Sequence, residues 1–149
     1  MLSPKDKLLL RELQFNFPLV ERPYLKIAAK LGLTEKQVIE RTAIFKEKGI
    51  IRYIGCVFNL RKLGMVSSLI ALSVRAQDLP KVTEIINAYP QVTHNYLRRD
   101  EYNVWFTLHA PSKNKLFKLI KEIKNKTAAK KVLNLSTLKV FKIDARFRL

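Results

Sequence analysis

The chain has 149 residues, nearly half of them hydrophobic, a net charge of +17 and a single cysteine. That size suits one domain or two small ones sharing a body, with apolar material enough for a core. The lone Cys56 excludes an internal disulfide and a multi-cysteine zinc site and reads as a small buried hydrophobe; no run nears the roughly twenty apolar residues of a membrane span, and the charges spread through MLSPKDKLLLRELQ leave no signal-peptide core, so a cytoplasmic protein is expected.

The first part reads as helical. From Asp6 to Phe15, Leu9, Leu10 and Leu13 recur at the spacing of one buried helix face. Pro18 and Pro23 bound a loop, and a short helix from about Tyr24 stops at Gly32, a natural C-cap. Thr34 and Gln37 have capping-box spacing at the head of a third helix, where Val38, Thr42 and Phe45 share a face and Gly49 marks the end. The β-branched and aromatic run IIRYIGCVFN predicts a short ribbon. Three helices and a ribbon make residues 1–62 a winged helix-turn-helix.

After the linker LRKLG the rhythm changes. VSSLIALSV is a strand, and LPKVTEIINAYP a helix with Val82, Ile85, Ile86 and Tyr89 inward. A hairpin follows over Val92 to Ala110. SKNKLFKLIKEIKNKT is a helix with Leu116, Phe117, Ile120 and Ile123 on one stripe, and KVLNLSTLKVFKI is a last strand. The order βαββαβ makes residues 63–149 a ferredoxin-like sandwich, so the fold class is α+β. The sheet face away from the helices needs a cover, usually a second subunit.

The hairpin VTHNYLRRDEYNVWFTLHA holds both histidines and the only tryptophan. A turn centred on Asp100-Glu101 sets Arg98 opposite Asn103, Tyr96 opposite Trp105 and His94 opposite Thr107. Alternation then puts Thr93, Asn95, Leu97, Val104, Phe106 and Leu108 toward the helices. The other face carries His94, Tyr96, Arg98, Asn103, Trp105, Thr107 and His109. Two imidazoles, two large aromatics, a guanidinium and an amide suit a flat, polar-rimmed ligand. A Tyr-Trp pair on an open sheet also suits a dimer contact, and both readings stand at this point. No metal-ligand spacing, Gly-rich phosphate loop or nucleophile elbow is present, which argues against hydrolytic and nucleotide-dependent chemistry.

The segments FPLVERPYLKIAAKLGLTEKQVIER, GIIRYIGCVFNLRKLG and VTHNYLRRDEYNVWFTL resemble the siroheme decarboxylases of alternative heme and heme d1 synthesis. These share the architecture of the leucine-responsive and asparagine-type (AsnC) regulators, which nearly the whole chain resembles. The resemblance implies that two acetate carboxyls of siroheme, an iron isobacteriochlorin with eight carboxylates, leave as CO2. No organic cofactor is implied: siroheme enters as substrate, and a heme-like product is an expected ligand. It implies His94 as proton donor or iron-side contact, with Arg98 beside it in catalysis. Tyr96 and Trp105 would flank the ring, Arg98 and Arg99 would hold carboxylates, and Asn103 would give a hydrogen bond. Alternation points Arg99 away. Arg52, Arg22 and Tyr24 would reach in from the first domain, and His109 lies beyond the shared segment. The implied assembly is a homo-oligomer or a heterodimer with a paralogous subunit.

The rival reading is a DNA-binding regulator, or a heme-responsive one. Its recognition helix, residues 34–48, sets Glu35, Glu40 and Glu47 against Lys36, Arg41, Lys46 and Lys48, a net of +1. Residues 1–62 carry thirteen Lys/Arg against six Asp/Glu, whereas residues 111–149 carry twelve against two. The strongest field therefore lies away from that helix, so weak or absent DNA binding is expected, with no membrane partner. A lysine-rich surface also suits a heat-adapted protein.

Overall fold

The computed structural model describes residues 2–144 and 146–147. They divide into two compact units, one running to Val57 and resumed at Lys142, the other Phe58–Phe141.

The first unit holds helices α1 (Pro4–Phe15), α2 (Pro23–Leu31) and α3 (Glu35–Glu47). Each start has a local cause. Ser3 accepts from the Asp6 N–H while Asp6 accepts from the Ser3 N–H, and Thr34 and Gln37 make the same reciprocal pair on α3. These bonds satisfy amides that a helix start leaves without partners. α2 ends at Gly32, whose φ of 60° suits a residue without Cβ. Leu9, Leu10, Ile27, Ala28, Val38 and Phe45 form the core, and fully burying each large side chain contributes about 1.5–3 kcal/mol. The resumed chain is held by Gln14, whose amide donates to the Phe147 carbonyl and accepts from its N–H, both at 2.9 Å.

The ribbon expected over residues 50–59 does not form. Ile50 and Ile51 donate their N–H groups back to the Phe45 carbonyl, closing α3, and the chain beyond is irregular. Ten residues with Gly55 at their middle supply two arms too short to hold a hairpin without a third strand. Cys56 is consequently exposed rather than buried.

The second unit has strands β1 (Val66–Ser73), β2 (Val92–Leu97), β3 (Val104–Ala110) and β4 (Lys131–Ser136), with α4 (Leu79–Asn87) after β1 and α5 (Lys113–Thr127) after β3. The sheet order is β2-β3-β1-β4, antiparallel throughout, as the βαββαβ reading requires. Ile70, Leu72, Val104, Phe106, Leu108 and Ala110 meet Val82 and Ile86 of α4 and Leu116, Leu119 and Ile123 of α5. Phe117 was expected inside this core but is 56% exposed, and Leu119 takes the place. One residue past Leu116 lies about 100° round the helix, off the stripe that Leu119, Ile120 and Ile123 define. β4 stops well short of Ile143. Its last pair is Ser136 with Ser68, and β1 offers only two more residues to pair with.

Candidate functional site

Along β3 the side chains alternate: Val104, Phe106, Leu108 and Ala110 are buried under the helices, while Trp105, Thr107 and His109 look out on the open face of the sheet. The hairpin register is the expected one over its outer part, His94 with Thr107, Tyr96 with Trp105, and the Arg98 N–H donating to the Asn103 carbonyl at 2.7 Å. His94, Tyr96, Trp105 and Arg98 gather there. The His94 and Tyr96 rings lie 6.1 Å apart and 27° from parallel. The Arg98 guanidinium carbon sits 5.4 Å from the centre of the Trp105 ring, and Trp105 donates its indole N–H to the Tyr102 carbonyl. The indole is thereby held at both edge and face, a cation over a π-surface on one side and a fixed hydrogen bond at its rim.

The inner end departs from simple alternation. Val92 pairs with Leu108 and His94 with Thr107, leaving Thr93 as the extra residue of a β-bulge. Val92 therefore packs on the helix side, and Thr93, expected there, turns to the open face. Its hydroxyl lies 3.0 Å from His94 Nδ1 and 3.1 Å from His109 Nε2. A sequence signal for this exists. Val92 and Leu97 are both apolar yet five residues apart, so strict alternation cannot turn both to the helices, and one extra residue between them can. Burial, and secondarily the nearby His94 ring, push the His109 imidazole below its ordinary value of 6.5.

Other expected contacts are spent elsewhere. Asn103 donates its amide to the Val74 carbonyl at 2.7 Å and accepts from the Val74 N–H at 3.0 Å. It fastens the hairpin to the end of β1 and has little left for a ligand. Arg99 is exposed in the hairpin loop. Arg22, Tyr24 and Arg52 belong to the first unit. There Arg22 pairs with Glu35, which raises the guanidinium's affinity for its proton, while Tyr24 packs edge-on to Phe17 at 6.0 Å beside the core. Arg52 is exposed.

The open face continues across β1 and β4 with a different character. By register Ser67 lies opposite His109, Leu69 opposite Thr107 and Leu135, and Ala71 opposite Trp105 and Leu133. Leu69 is 39% and Leu135 44% exposed. Lys131, at the far corner, pairs with Glu101 of the hairpin loop. The face thus joins a hydrogen-bonding aromatic half to an apolar half, an arrangement suited to a large flat ligand or a protein surface.

Comparison with known proteins fits these features. Residues 62–142 match the AsnC-like ligand binding domain and residues 6–52 the siroheme decarboxylase NirDL-like HTH domain. The siroheme decarboxylase alpha subunit of Desulfovibrio desulfuricans is 41% identical over 97% of this chain and 83% of its own. The crystal structure of the siroheme decarboxylase NirDL superposes with a TM-score of 0.69 at 32% identity, over 97% of this chain but 47% of that one. AsnC of E. coli, at 19% identity and a TM-score of 0.81, shares the fold.

Proposed function

We infer the reaction from one premise: the chain belongs to the siroheme decarboxylase family. It is a siroheme decarboxylase, and the finer reading is a carboxy-lyase that takes two acetate side chains of siroheme to methyl groups. Each step breaks the bond between the acetate methylene and its carboxylate. CO2 leaves, the electron pair stays on the methylene carbon and is delocalised into the macrocycle, and a proton completes the methyl group. The ring itself holds the electrons, so no organic cofactor is needed.

The protein's part is then to grip a flat polyanion, orient one acetate and supply the proton. Tyr96 and Trp105 flank the ring. Arg98, resting on the Trp105 face, presents its fork to a ring carboxylate. His94 delivers the proton, imidazole being the side chain that most often serves as a positioned general acid. The observation that carries the reading is this gathering of His94, Tyr96, Arg98 and Trp105 on one uncovered hairpin face. Relatives named as alpha, NirD and NirG subunits, and a solved NirDL chain about twice this length, support a subunit that works with a second copy or a paralogue.

Anaerobic incubation with reduced siroheme, followed by mass analysis of the tetrapyrrole, tests this. Loss of two CO2 units by the protein, alone or with a paralogous subunit, is expected. His94→Ala should lower the rate by about 10²–10⁴, the range of a positioned proton donor. An unchanged tetrapyrrole in both preparations overturns the reading, and undiminished CO2 release by His94→Ala removes His94 from the chemistry.

A further inference from the structure

Thr93 stands between the two histidines, and its placement has a chemical consequence. A threonine hydroxyl owns one proton and accepts through its lone pairs. Between two ring nitrogens it donates to one and accepts from the other, because accepting from both would leave its own proton without an acceptor among the described residues. The chain places the bulge so that both contacts are short, 3.0 Å to His94 Nδ1 and 3.1 Å to His109 Nε2. The two imidazole tautomers are therefore tied together through one oxygen.

Two orientations of the relay exist, and burial separates them. In the first, the hydroxyl donates to His109 Nε2, which obliges neutral His109 to carry its proton on Nδ1. That nitrogen is buried and has no hydrogen-bond partner among the described residues. A buried N–H without an acceptor is costly and rare. In the second, His109 Nε2–H donates to Thr93, whose hydroxyl donates to His94 Nδ1. The buried His109 Nδ1 is then a bare lone pair, the lesser penalty. His94 accepts at Nδ1 and carries its proton on Nε2.

We propose that Thr93 is a positioning residue that, with His109 behind it, fixes His94 as the tautomer protonated at Nε2 and holds that N–H out over the open sheet face. The neighbouring Tyr96 ring limits the same imidazole from the other side. This deepens the decarboxylase reading, because a proton donor is useful only with the proton on the nitrogen that faces the substrate. It also gives His109 a part: the far anchor of the relay, facing Ser67 across β1. The role rests on that reading for its purpose and on the Thr93 contacts alone for its geometry.

Two substitutions separate hydroxyl from shape. Thr93→Val keeps the volume and branching and removes the hydrogen bonds, while Thr93→Ser keeps the hydroxyl. With only two histidines in the chain, ¹⁵N NMR of the imidazoles reports both tautomers, and a His94→Gln protein assigns them. The wild type and Thr93→Ser should each show His94 protonated at Nε2 with a hydrogen-bonded Nδ1, and Thr93→Val a mixture of tautomers at His94, while His109, whose Nδ1 stays buried, keeps its proton on Nε2. Anaerobic siroheme assays should show kcat about five- to tenfold lower in Thr93→Val, the worth of one net hydrogen bond, with KM little changed. A wild-type His94 signal in Thr93→Val, or Thr93→Ser behaving like the valine protein, overturns the proposal. A wild type that shows the tautomers but turns over no siroheme, with or without a paralogue, overturns the reaction and leaves the relay standing.

Discussion

Asn103 reaches the Val74 carbonyl and the Val74 N–H at once, which makes one amide a substitute for a rung of the ladder just past the end of β1. Removing it leaves two backbone groups without partners where the hairpin loop begins. Asn103→Ala should therefore lower stability by about 1–2 kcal/mol in urea unfolding, and Asn103→Asp by more, because a carboxylate faces the Val74 carbonyl and cannot donate. His109 makes a pH-dependent contribution of the opposite kind to an ion pair. Its folded value lies below 6.5, chiefly through burial, so between the two values the unfolded chain binds more protons. Stability is then fully present above the ordinary histidine value, falls as pH drops through it, and levels off below the folded value. Urea unfolding from about pH 8 to about pH 5 should show that decline, and His109→Gln should flatten it.

At the level of elements, Gly32 is the plainest case. Its φ of 60° is left-handed, and a Cβ added there meets nothing within 4 Å, so Gly32→Ala is costly only through the backbone. A loss of about 1–2 kcal/mol, read as a lower Tm, is expected. This stop was legible because glycine is chemically distinctive, and the Thr34–Gln37 box for the same reason. The outer hairpin register was legible because turn and alternation agree there. The bulge was not: Thr93 suits either face, and only the tertiary demand that Val92 and Asn95 both serve the helix side forces the extra residue in. Asn95 shows that demand, donating its amide to Asn87 of α4 at 2.9 Å. The missing ribbon failed differently. Residues 50–59 have strand composition but no third strand to pair with, and composition is silent about pairing. Asn103 looked like a ligand group because its residue type says that it bonds, not to what.

At the scale of the whole molecule, the lysine cluster of α5 lies on the wrong side of the sheet to grip a ligand on the open face. α5 carries Lys113, Lys115, Lys118, Lys121, Lys124 and Lys126, all exposed, and it covers the face opposite His94. A sheet and the layer packed on it are about 10 Å apart. The Debye length is about 30 Å at 0.01 M salt and about 8 Å at 0.15 M. The lysine field therefore passes through to the open face in dilute buffer and is mostly screened at physiological ionic strength. On that face Arg98 remains, with Lys131 partly neutralised by Glu101. For a substrate with eight carboxylates, stopped-flow binding should accelerate several-fold as salt falls from about 0.15 M to about 0.01 M, while the dissociation rate stays nearly constant. Lys113→Gln, Lys121→Gln and Lys124→Gln together, half of the six, should erase about half of that acceleration and leave the rate at 0.15 M almost untouched. On the proposed reading Arg98 touches the ligand and is not screened from it, so Arg98→Gln should do the reverse, slowing capture and hastening release at both salts. Should the lysine variants weaken binding equally at every ionic strength, α5 touches the ligand, and the open hairpin face is not where siroheme sits.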